Sequence, residues 1–127
     1  MKQKIDRNYL EILSLKDLKE TKFETFGLSL LKNNQNDEST NKLSTLFDFW
    51  SILGEKTDQE IINTIQDLKI DILIDLGGLW SANRVNIFNT RMCPLQISWL
   101  VFNNSSGLKE VDFILADVNV VKEEEKY

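Results

Sequence analysis

The stretch from Thr57 to Gly78 limits what this chain can fold into more than any other. Thr57-Asp58-Gln59-Glu60 has the form T-x-x-E. In that form the threonine oxygen accepts from the Glu60 amide and the glutamate reaches back to the Thr57 amide, so a helix starts here. Ile61, Ile62, Ile65 and Leu68 fall on one face, which predicts a helix to about Leu68. Ile70 to Leu76 (IDILIDL) follows at once and ends at Gly77-Gly78. It is short, β-branched and largely apolar, which suits a buried parallel strand. Helix, strand and glycine turn in that order are half of an α/β unit.

The rest of the chain extends the pattern. Gln96 to Phe102 (QISWLVF), introduced by the sole proline Pro94, predicts a second buried strand, and Val111 to Ala116 (VDFILA) a third. Upstream, Tyr9, Ile12, Leu13, Leu15 and Leu18 predict a helix over about Arg7 to Lys19. Phe23 to Leu30 alternates and is rich in aromatic residues, which predicts a strand. Lys32 to Asn41 is a polar, turn-prone loop passing into a helix that presents Leu43, Leu46 and Phe47. The closing VKEEEKY reads as a solvated helix start or tail. No internal repeat or proline-rich linker is visible. The expected fold is α/β, an open, mostly parallel sheet flanked by helices. Such sheets bind ligands beyond the carboxyl ends of their strands. That singles out Gly77 to Arg84 and Asn103 to Gly107.

Composition removes several functions. The chain has 127 residues, enough for one domain, and its 42% hydrophobic and 28% charged content is that of a globular protein. Fifteen basic against twenty acidic residues give a net charge of −5, which disfavours nonspecific nucleic-acid binding. No apolar run reaches the ~18 residues of a membrane span, and MKQKIDRNYL lacks the apolar core of a signal peptide. The single cysteine, Cys93, suits a reducing compartment, so a cytoplasmic location is expected. Histidine is absent. A Ser-His-Asp triad, a Cys-His pair and a histidine-ligated zinc site are therefore impossible within these residues. Acid–base work would fall to Asp, Glu, Lys or Tyr.

Each candidate site residue has two readings. Gly77-Gly78 can offer backbone amides to a phosphate or simply make a tight turn. Asp71 and Asp75, four apart, face the same side of a strand. They suit base or metal chemistry, or else Asp75 caps the following turn and Asp71 pairs with a basic neighbour. Arg84 can fork a phosphate or carboxylate, or else both Arg84 and Arg91 bond loop carbonyls. Asn103, Asn104, Ser105, Ser106 and Gly107 can donate to a ligand or form an ordinary turn. Trp99 reads as a core aromatic and Cys93 as a small buried residue.

The run from Ile70 to Asp117 resembles O-GlcNAc-transferase-like protein glycosyltransferases. The residues that carry the likeness include Asp71, Asp75, Asn83, Arg84, Phe88, Arg91, Pro94, Gln96, Trp99, Gly107, Asp112 and Asp117, with their spacing kept. Upstream, LEILSLKDLKETKFETFGLSL, Trp50 and TDQEIINTIQDLKIDIL fit more loosely, so the likeness covers about Leu10 to Lys126. It implies an inverting, metal-free transfer of N-acetylglucosamine from a UDP donor to Ser or Thr of acceptor proteins. The enzymes have two Rossmann-like lobes, often preceded by helical TPR repeats.

On that resemblance, residues 1–127 are a single partial domain, the first catalytic lobe without its opening strand and that strand's histidine motif. The second lobe would supply most nucleotide contacts, including a lysine beside the diphosphate. Substrate-binding positions would be Gly78, Arg84, Asn103, Asn104, Ser105, Ser106 and Gly107. No catalytic residue, metal or cofactor is expected beyond the UDP-sugar substrate. The family's "GHT" is Gly78-Leu79-Trp80 here, and its "GYPGTTG" is Val101 to Gly107, VFNNSSG. Scaffold positions are kept and loop positions have drifted. This chain alone is therefore expected to be an inactive fragment, or else a degenerate, non-catalytic interaction module.

Overall fold

The computed structural model describes residues 22–32, 37–77, 84–99 and 107–116. The chain divides into two compact units, Met1–Glu55 and Lys56–Tyr127.

In the first unit, β1 (Phe26–Ser29) and β2 (Phe49–Ile52) pair in parallel, and α1 (Glu38–Ser44) lies between them in sequence. Thr25 and Asp48 set the register. The Thr25 amide and hydroxyl both donate to Asp48 Oδ2, at 2.7 and 2.8 Å, and the Asp48 amide donates back to the hydroxyl at 3.1 Å. Phe26 sits opposite Phe49, and the rings stack at 4.9 Å. On the other face Gly27 sits opposite Trp50, where an added Cβ would collide with the indole, so only glycine fits. Asp37 caps α1, its Oδ1 accepting from the Thr40 amide at 2.8 Å.

In the second unit, α2 (Asp58–Asp67) starts at the expected capping box. The Thr57 amide donates to Glu60 Oε2 at 2.7 Å and the Glu60 amide to Thr57 Oγ1 at 3.3 Å. Ile61, Ile62 and Ile65 are buried, each contributing roughly 1.5–3 kcal/mol by leaving water. The helix ends at Lys69, whose φ of 51° is left-handed. A three-stranded sheet follows in the order β3 (Ile72–Asp75), β4 (Leu95–Trp99), β5 (Phe113–Leu115), parallel throughout. A 3-10 helix, Val85–Asn89, precedes β4 and buries Ile87 and Phe88.

Register divides this sheet into two unlike faces. One carries Leu73, Asp75, Gln96, Ser98 and Ile114, with Gln96 and Ser98 buried. The other carries Ile72, Ile74, Leu95, Ile97, Trp99, Phe113 and Leu115. Ile72, Ile74, Phe113 and Leu115 on that face are exposed, and Trp99 is half-buried.

The α/β architecture and the parallel sheet agree with the sequence. β1, β3 and β5 are shorter than the expected strands at both ends, whereas β4 begins one residue earlier than expected, at Leu95, and the expected end of that strand, residues 100–102, lies outside the described residues. The helix presenting Leu43 stops at Ser44, short of Leu46 and Phe47. β2 and the 3-10 helix were not anticipated. The expected helix at 7–19 and the VKEEEKY tail lie outside the described residues.

Candidate functional site

The candidate site is the carboxyl edge of β3 and β4. Beyond β3, Asp75 turns the chain: its Oδ1 accepts from the Gly77 amide at 2.9 Å. This is the capping role considered for Asp75. Asp71 contributes its backbone carbonyl to the ladder, accepting from the Leu95 amide at 3.2 Å. Gly78 lies outside the described residues, and the fold is described again at Arg84. The Arg84 guanidinium donates to the Lys56 carbonyl and lies 3.5 Å from Asp58 Oδ1. Its own carbonyl accepts from the Ile87 amide at 3.1 Å, opening the 3-10 helix. Beyond β4, Asn103, Asn104, Ser105 and Ser106 also lie outside the described residues. Gly107 is described, with a φ of 69° and open space beside its Cα. A side chain there would be strained by the backbone and not by neighbours.

The opposite, amino edge of the same sheet carries a dense polar network. Arg91 forks onto Asp112, with Nη1 at 2.6 Å from Oδ2 and Nη2 at 2.9 Å from Oδ1, while its Nε donates to Glu110 Oε2 at 2.8 Å. Asp112 Oδ2 also accepts from the Gln96 amide at 2.8 Å. The fully buried Gln96 side chain joins two loops: Oε1 accepts from the Met92 amide at 2.8 Å and Nε2 donates to the Glu110 carbonyl at 2.7 Å. The Arg91 guanidinium and the Gln96 amide hold the Asp112 carboxyl down to about 2. The two carboxylates raise Arg91 in turn. Burial pushes the Cys93 thiol up, so it is a packed side chain and not an activated nucleophile. The network lies at the end of the sheet away from the carboxyl edge, and it ties together the entries to β4 and β5.

Among the described residues, no three His, Cys, Asp or Glu side chains are placed to share a metal ion. No described helix is long and apolar enough to cross a membrane. The sequence did not foretell that Asp58 would meet Arg84 or that Gln96 would be buried. The first pair is separated by 26 positions with no periodic signal (84 − 58). A glutamine inside a strand announces burial only once its partners are known.

Residues 12–126 match the family model for glycosyl transferase family 41. The chain belongs to that family. Among its relatives, the probable UDP-N-acetylglucosamine–peptide N-acetylglucosaminyltransferase SPINDLY of Arabidopsis thaliana is 29% identical over 68 residues, 54% of this chain and 7% of the relative. The corresponding Eustoma exaltatum protein is 28% identical with the same coverage. The Arabidopsis protein SEC, described in the same terms, is 26% identical over 87 residues, 68% of this chain and 9% of the relative. A substituted form of the Thermobaculum terrenum O-GlcNAc transferase superposes with a TM-score of 0.76 at 28% identity, over 86% of this chain and 20% of that one. This family-41 chain therefore spans a small part of the length of the relatives it matches. Arg91, Gln96 and Asp112, which carried the resemblance in sequence, are the amino-edge network of its sheet.

Proposed function

We propose that this chain forms part of the first Rossmann-like lobe of a cytoplasmic protein O-glycosyltransferase. The reaction is transfer of N-acetylglucosamine from UDP to Ser or Thr hydroxyls of acceptor proteins. The observation that carries this reading is the family-41 match over residues 12–126. It falls on a parallel sheet whose carboxyl edge leads into both segments singled out by sequence. Gly78 and Asn103 to Gly107 are the proposed substrate-binding positions, with Arg84 at the same edge. Most nucleotide contacts, and catalysis itself, are proposed to require a second lobe. The chain alone is then a weak binder with no transfer activity.

The test is a UDP-N-acetylglucosamine titration, followed by NMR, of residues 1–127 alone and of the same residues joined to a family-41 second lobe. The expected result is weak binding by the first, tighter binding by the second, and transfer to a protein acceptor by the second only. Absence of binding in both overturns the reading.

One observation favours a second reading, a non-catalytic interaction module. Leu79-Trp80 replaces a polar pair beside the site, and VFNNSSG lacks two glycines and a proline of the family loop. Sugar transfer by the isolated chain rules this alternative out.

A further inference from the structure

We propose that Arg84 is a positioning residue of the family-41 site: it anchors the head of the Val85–Asn89 3-10 helix to the start of α2, and the donor phosphates are left to other groups. The inference rests on the functional reading above and assigns a role within that site.

Three observations carry it. First, the guanidinium is already engaged. It donates to the Lys56 carbonyl and faces Asp58 at 3.5 Å, and its side chain is only 29% exposed. A forked phosphate contact needs adjacent N–H groups turned toward the ligand and a net positive field. Here one group is bonded to a carbonyl, and the nearby carboxylate offsets the charge.

Second, the anchor point is well fixed. Lys56 and Asp58 flank Thr57, whose reciprocal bonds with Glu60 fix the first turn of α2. A residue tied there inherits the position of a helix whose Ile61, Ile62 and Ile65 are buried.

Third, Arg84 is held from its backbone as well. Its carbonyl accepts from the Ile87 amide at 3.1 Å, and Ile87 and Phe88 are buried just beyond. Side chain and main chain therefore both hold Arg84 in place at the head of the 3-10 helix. A site at the carboxyl edge depends on such placement, since a misplacement of about 1 Å can cost a hundredfold in catalysis.

The experiment compares wild type, Arg84→Gln, Arg84→Lys, Asp58→Asn and the Arg84→Gln/Asp58→Asn double variant, titrating UDP and uridine into each 127-residue chain by NMR. Positioning predicts that Arg84→Gln and Asp58→Asn each weaken both probes by a similar factor, about three- to tenfold. The double variant is then no worse than either single one. Arg84→Lys, which keeps a cation for Asp58 and a donor for Lys56, recovers most of the affinity. Direct phosphate binding predicts something else. Arg84→Gln then abolishes the preference for UDP over uridine, and Asp58→Asn, by freeing the guanidinium, leaves UDP binding unchanged or tighter. That result overturns the proposal.

Failure of the functional reading looks different, because the wild-type chain then shifts with neither probe. Amide hydrogen exchange over Val85–Asn89 still decides the positioning role in that case. Exchange accelerated about tenfold in both single variants supports it, and unchanged exchange overturns it.

Discussion

At the level of single residues, the local rules that govern helix ends were the most legible part of the chain. Thr57 and Glu60 form the reciprocal cap that their spacing announces. Thr57→Ala should cost about 1 kcal/mol in urea unfolding, the usual worth of such a cap. The other end of α2 was not announced. Lys69 occupies a left-handed conformation where glycine is the usual choice. Lys69→Gly removes the clash between Cβ and carbonyl, at the expense of a more flexible unfolded chain. The net expectation is a gain of about 0.5–1 kcal/mol, read by the same unfolding measurement. Asp75 shows why site residues resist sequence reading. A carboxylate after a buried strand fits chemistry and turn-making equally well, and the bond to the Gly77 amide was needed to show the second.

At the level of elements, apolar runs located strands but not their ends. IDILIDL is apolar over more residues than the four that pair, because pairing stops where Asp75 bends the chain. β2 escaped notice because FWSI carries no β-branched run and follows a short helix without a glycine or proline signal. Its place depends on a long-range bond set, Thr25 with Asp48, that no local pattern encodes. Tight packing after β2 is also testable. A Cβ on Gly54 would meet the Leu31 carbonyl and lie 2.7 Å from the Lys32 nitrogen. Main chain cannot rotate aside as a side chain can, so Gly54→Ala should cost about 2 kcal/mol, measured by chemical denaturation. The amino-edge network supplies the complementary lesson. Arg91, Gln96 and Asp112 were legible as family positions, while their role as joints between loops emerged only from their bonds.

At the scale of the whole molecule, acid should unfold the protein through carboxylates that hydrogen bonds hold in their charged form. Asp112 is drawn down to about 2 by Arg91 and the Gln96 amide. Asp37 is lowered by Thr40, Glu38 by Lys42 and Glu60 by Thr57. A depressed folded-state value adds stability that is complete above the unfolded value near 4 and is lost as pH falls through the folded one. The melting temperature should therefore stay level from pH 7 to about 5 and fall between about 4 and 2. Asp112→Asn should lower the plateau and flatten that fall. A melting curve of the variant that keeps the wild-type slope would contradict the assignment.

The exposed face of the β3–β4–β5 sheet has a thermal consequence. Ile72, Ile74, Phe113 and Leu115 keep much of their surface in water when the chain is folded. Unfolding then adds less newly hydrated hydrocarbon than in a domain whose sheet is covered on both sides. The heat-capacity increment of unfolding tracks that newly wetted area. Calorimetry should give a value below the usual ~12–15 cal/mol/K per residue. The stability curve is correspondingly broad and shallow, and cooling should weaken this fold less steeply than it weakens a fully enclosed core.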